Sequence, residues 1–223
     1  MRRTSPLILT LKKQLAKTFP AHNLDDPDGL CIHFEKHPHL RFELGEPHPN
    51  GSDERVRQSA DRAAYILETC FRPADPVFLL ATFWGKSIFG GDPEYLHTLL
   101  DHTALIGAAR RKLHEEERDR RDGAMKIRRW EQHIYLMPFA AMNHRQILAG
   151  IANKEQGKSP KVTQSVFFIH AKKPVAFHMY DDRGCLLFAH PATLAELENA
   201  LKPGLGSASL IGRQLKVPAP TGG

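Results

Sequence analysis

The sequence predicts an α+β fold, a mixed or antiparallel sheet with helices packed against it. Three observations carry that prediction. The first is one long helical face made by Val56, Ala60, Ala63, Ala64, Leu67 and Phe71. The second is the continuous apolar run Val77 to Phe83, which has the length and composition of a buried central strand. The third is a β-rich C-terminal third, in which strand-length segments are separated only by turns.

Taken in order, Leu7, Leu11 and Leu15 recur at helical spacing and predict a short amphipathic helix over residues 5–18. Turn chemistry follows at Asn23 to Gly29. Leu30 to Phe34 and Leu40 to Leu44 read as two strands joined through His37-Pro38-His39. Ser52 is a good N-cap, and Asp53 and Glu54 suit the positive end of the helix dipole. The long helix is therefore expected over 53–71, stopped by Pro73 and Pro76. Asp92-Pro93 predicts a second helix start, continued by Leu96, Leu99, Leu100, Thr103 and Ile106. Arg110 to Arg129 carries nine basic and five acidic residues and is expected as an exposed helical extension or a loop. Gln132 to Met137 reads as a strand, and Asn143 to Gln146 as a capping box opening a helix through Ile151. Ser165 to Ile169, Val175 to Tyr180 and Cys185 to Ala189 are the consecutive strands, and Thr193 is expected to cap a helix over Leu194 to Leu201.

These elements assign residues 1–202 to a single α+β domain and 203–223, rich in Gly, Ser and Pro, to a flexible C-terminal tail. A chain of 223 residues is long enough to hold a core without a metal or disulfide. Cys31, Cys70 and Cys185 form no CxxC pair and read as thiols in a reducing compartment. The apolar stretch after Arg3 is too short for a signal peptide, and no run approaches a membrane span. A cytoplasmic location without membrane association is expected.

The chemistry-bearing motifs are few. Gly85 to Gly91 contains Gly-Lys-Ser but lacks the spacing of a phosphate loop. A nucleophile elbow is missing, and His33, His37 and His39 read as a solvated hairpin tip rather than a zinc site. Neither a metal, nor a cofactor, nor a catalytic residue is assigned. The segment Tyr180-Asp181-Asp182-Arg183-Gly184 has the chemistry of a hairpin turn. Arg183 has two carboxylates within sequence-level reach, Asp181 and Glu43.

The segment Val175 to Met179 followed by Tyr180-Asp181-Asp182-Arg183-Gly184 resembles the bacterial domain of unknown function 3885 family. An upstream stretch resembles it too: Leu40-Arg41-Phe42-Glu43-Leu44-Gly45, a loop, then Arg55, Arg62 and Ala63 on a helix. The family-like segments span 40–83 and 165–190. The resemblance implies no activity, though some relatives look like immunity proteins that neutralise secreted bacterial toxins.

Three function classes are weighed. A protein-binding module, such as an immunity protein or regulator, suits the net charge of +6, which favours an acidic partner surface. An enzyme or ligand site is the alternative, with binding residues Arg41, Glu43, Tyr180, Asp181, Asp182 and Arg183, because carboxylates and an arginine hold metals or acidic ligands. Nucleic-acid binding through 110–130 is the third, opposed by Glu115 to Glu117, Asp119 and Asp122.

Overall fold

The computed structural model describes residues 5–18, 24, 37–84, 92, 94–118, 125–205 and 210–214. The described elements are α1 (Pro6–Thr18), β1 (His39–Glu43), α2 (Asp53–Cys70), β2 (Pro76–Trp84), α3 (His102–Ile106), β3 (Ala109–Arg118), β4 (Met125–Pro138), α4 (His144–Glu155), β5 (Ser165–His170), β6 (Val175–Asp181), β7 (Gly184–Ala189), α5 (Pro191–Leu205) and β8 (Leu210–Gln214). The strands form one sheet in the order β3-β4-β2-β5-β6-β7-β1-β8, with antiparallel pairing throughout. The fold is α+β, as the sequence predicts.

Two apolar clusters divide the core. On one face Leu79, Tyr135, Phe168, Phe177 and Leu187 meet Ala63, Leu67, Leu148, Ile151 and Leu201 from α2, α4 and α5. On the other, Phe78, Leu80, Ile134, Phe167 and Phe188 meet Ile8, Leu11 and Leu15 of α1. Neighbouring residues on a strand point to opposite faces, so a strand covered on both sides must be apolar at every position. That is why β2 and β7 read as unbroken apolar runs, and every residue of β7 is buried. Burying each such side chain contributes roughly 1.5–3 kcal/mol.

The helix caps follow sequence chemistry. The Ser52 side chain accepts from the Arg55 N–H at the start of α2, and Asn143 accepts from the Gln146 N–H at the start of α4. Elsewhere the structure corrects the sequence reading. The helix expected from Asp92 onward is broken: a 3-10 turn at Tyr95–Leu99 ends where Leu100 bridges Met142, and Asp101 caps the separate helix α3. Ile106, expected on the apolar face, is 75% exposed. Of the charged stretch expected as helix or loop, residues 110–118 and 125–129 are instead in the antiparallel strands β3 and β4, because β4 is a long strand that carries β3 along its outer edge, and 119–124 lie outside the described residues. Helix α5 begins before Thr193 and runs past the expected end to Leu205. Within the stretch expected as tail, Leu210–Gln214 forms β8 against β1 and satisfies backbone groups that β1 would otherwise leave open at the sheet edge. The expected strand Leu30 to Phe34, His33, Cys31, the Gly85 to Gly91 loop and residues 206–209 and 215–223 lie outside the described residues. Among the described residues no helix is long and apolar enough to cross a membrane.

His178 gives the fold a pH dependence. It stacks on Phe167 with ring centroids 4.0 Å apart, and its Nδ1 lies 2.9 Å from the Val166 carbonyl. Burial pushes the imidazole pKa down from 6.5 to about 4. Between those values the unfolded chain binds a proton that the folded chain refuses. Stability is therefore full above the unfolded value and falls as pH drops through the window. Linkage sets the loss at about 3 kcal/mol across it. Urea denaturation at pH 7 and pH 4.5 should show this loss for the wild type, and His178→Gln should remove the His178 share of the slope.

Candidate functional site

The six residues nominated by sequence lie around the β6–β7 turn and the end of β1, and each has a separate task. Asp181 accepts from the Arg183 N–H at 2.8 Å and from Arg183 Nε at 2.8 Å, closing the turn on itself. Burial of Asp181 and the exposure of Arg183 leave the guanidinium on the surface, where pairing with Asp181 raises its pKa. Asp182 points the other way. Its carboxylate pairs with Arg55 Nε on α2, and the two side chains are only 2% and 5% exposed. The Asp182 carbonyl accepts from Ser59 Oγ at 2.7 Å, one helical turn further on. Tyr180 accepts at its hydroxyl from Arg41 Nε at 3.1 Å, and Arg41 lies over the ring at 5.6 Å. Glu43 accepts from the backbone N–H of Gly45 at 3.0 Å and shapes the loop after β1.

The polar side of α2 completes the arrangement. Gln58 Nε2 donates to the carbonyls of Leu44, Gly45 and Glu46, and Arg62 Nη1 donates to those of Leu44 and Glu46. Arg55 Nη1 donates to His48 O at 2.8 Å. Buried carbonyls without partners cost free energy, so these side chains are what allow a loop to pack on a helix. Two glycines give the necessary room. A Cβ on Gly45 would sit 2.5 Å from the Arg55 guanidinium carbon, and one on Gly184 would sit 2.7 Å from the Phe42 carbonyl oxygen and against the Tyr180 hydroxyl. The motif thus reads as a fastening of β6–β7 to α2 and β1. Its carboxylates are engaged with different partners instead of converging on one point.

Sequence reasoning missed a second polar cluster. Tyr135 and His133 on β4 face His97 from the turn preceding α3, beside Phe83 of β2. His97 Nε2 lies 2.8 Å from Tyr135 Oη, His133 Nδ1 lies 3.1 Å from it, and the two nitrogens are 3.3 Å apart. The outer ring nitrogens meet carboxylates: Nδ1 of His97 pairs with Glu94, and Nε2 of His133 lies 2.8 Å from Glu131. Tyr135 is fully buried, and desolvation raises its pKa well above the usual range. Desolvation also lowers the His133 pKa, against the raising effect of Glu131. A signal was present in the sequence: Glu131, His133 and Tyr135 alternate, so on a strand they share one face. Among the described residues no three His, Cys, Asp or Glu side chains form a metal-holding group.

The third feature is the β3–β4 arm. Among the described residues, β2 pairs with β4 as far as Trp84 opposite Trp130, and from Arg129 to Met125 β4 is paired by β3. Arg110, Lys112 and His114 share one face by alternation, with Arg129 opposite His114, and all four are exposed. The register sets Glu115 opposite Arg128 and Glu117 opposite Lys126.

The family model described as "Domain of unknown function (DUF3885)" matches residues 11–203. The chain belongs to this family. No curated protein and no solved structure gives a significant match to it.

If the two glycines serve the fastening, Gly45→Ala should displace Arg55 from its buried partner and cost about 3 kcal/mol. Gly184→Ala, which meets backbone and cannot be relieved by a side-chain shift, should cost at least as much. Chemical denaturation reads both, and a loss below about 0.5 kcal/mol in either would contradict the packing described.

Proposed function

We propose that this family member is a protein-binding module whose β3–β4 arm docks an acidic protein surface. The observation that carries the reading is the exposed face on which Arg110, Lys112 and Arg129 lie with His114 across the β3–β4 pair. The segment from Arg110 to Arg129 holds a net +4 of the chain's +6. A concentrated patch of one sign steers association with a surface of the other. The cross-strand placement of Glu115 and Glu117 opposite basic residues lowers the net field of the arm, which suits a patterned protein surface better than a phosphate backbone.

Within that class, the partner we favour is a bacterial toxin or regulator presenting an acidic patch, and the protein would act as a neutralising immunity protein in the cytoplasm. Cys70 and Cys185 are buried free thiols, which suits a reducing compartment. Burial pushes the Cys70 thiol up to about 12, so it stays protonated and unreactive. A ligand site at Tyr180 to Arg183 has less support, because the carboxylates there are already engaged.

The test is capture from nuclease-treated native lysate at ~0.1 M salt, with the wild type and with Arg110→Glu, Lys112→Glu and Arg129→Glu combined. One stoichiometric protein should bind the wild type. The triple reversal should weaken that complex roughly 100-fold, at about 1 kcal/mol for each reversed charge. Equal capture by both proteins, or retention of nucleic acid alone in an untreated lysate, would contradict the reading.

A further inference from the structure

We propose that His97, His133 and Tyr135 form a binding site for a divalent transition-metal ion of the zinc class, held at the root of the β3–β4 arm. This site does not depend on the binding-module reading. A carboxylate only accepts, so each ring turns an N–H outward, His97 to Glu94 and His133 to Glu131. The inner nitrogens, Nε2 of His97 and Nδ1 of His133, converge on the same small space, 3.3 Å apart. The Tyr135 hydroxyl has one proton and satisfies one of them. Three potential ligand atoms thus face one another at the centre of the cluster, with an outer ring nitrogen of each histidine already held by a carboxylate.

The spacing is near what a metal requires, with the His97–Tyr135 contact of 2.8 Å the one that must open. Zinc bound to imidazole at about 2.0–2.1 Å in tetrahedral geometry puts its donor atoms about 3.3 Å apart. The three donor separations here are 3.3, 3.1 and 2.8 Å. The outer carboxylates supply a second requirement: metal-bound histidine characteristically gives its other N–H to a carboxylate, which fixes the ring and raises its basicity. Both histidines have that partner. Rigidity is the third: Tyr135 is fully buried, and Phe83 packs at 4.2 Å from the His133 ring and 5.6 Å from the His97 ring. Ligands locked by packing lose little freedom on binding.

The charge balance is workable. Arg110, the Cα partner of His133 across the β3–β4 pair, opposes a cation there. Glu94 and Glu131 oppose Arg110 and favour it. Three protein donors leave a fourth position for water or a substrate oxygen, the pattern of reactive rather than purely structural zinc sites.

The experiment is titration of the apo, EDTA-treated chain with Zn(II) by calorimetry, and with Co(II) by visible absorption. The expected result is one equivalent with micromolar or tighter affinity, and the intense visible bands of tetrahedral Co(II). His97→Gln and His133→Gln should each weaken binding by at least about 100-fold, and Glu131→Gln by about 10-fold through loss of the orienting carboxylate. Circular dichroism establishes that each variant is folded, and the Co(II) spectrum of the wild type stands even if one is not. No uptake by the wild type at ~0.1 mM metal, an octahedral Co(II) spectrum, or equal uptake by folded His133→Gln would overturn the proposal.

Discussion

A guanidinium and a carboxylate, both out of water, meet where α2 crosses the β6–β7 turn, and the surroundings are organised around that pair. Taking two charges out of water costs several kcal/mol each, and their attraction repays it only if the remaining donors and acceptors are satisfied. The structure meets that condition residue by residue. Arg55 spends Nη1 on His48 O, and the Asp182 carbonyl takes the Ser59 hydroxyl. Gly45 gives the guanidinium its space. Removing one partner would leave a buried charge alone, which is why the pair acts as a constraint on everything that touches it.

The pair also sets how the layers meet. Helix α2 presents Ala63, Ala64 and Leu67 to the sheet and Arg55, Gln58, Ser59 and Arg62 to the β1 loop and the turn. The apolar contacts are non-directional and would tolerate sliding. The polar ones are directional and would not. The helix is thereby fixed in register against β1, β6 and β7. The β3–β4 arm and the His97–Tyr135–His133 cluster lie on the other side of β2, so the fastened half holds the sheet that presents them.

Much of this was legible in the sequence, and the failures have physical causes. The 53–71 helix and the three C-terminal strands declared themselves because their cores impose a clean period. Arg55 was named only as part of a resemblance. On its helix it resembles a solvent-facing charge, and nothing local shows that Asp182, far along the chain, will bury it. The arm was misread because charged residues occupy most of its positions: without a run of alternating apolar residues there is no period-2 signal, and its mixed charges imitate i, i+4 helical pairing. Its real order lies across the β3–β4 pair, where Lys112 faces Glu131 and Glu115 faces Arg128. The histidine cluster escaped notice because His97 and His133 come together only through the sheet, although Glu131, His133 and Tyr135 could have been grouped by alternation once the strand was accepted.

The central claim, that the buried pair is the constraint on the turn, is tested most directly by a double-mutant cycle on stability. Arg55→Met and Asp182→Leu are measured singly and together by denaturant unfolding. The account predicts that each single change costs about 3–5 kcal/mol and that the double change costs much less than their sum, with a coupling of at least about 2 kcal/mol. Two small, additive losses would contradict it, and would mean that α2 and the turn are held by apolar packing and the remaining hydrogen bonds.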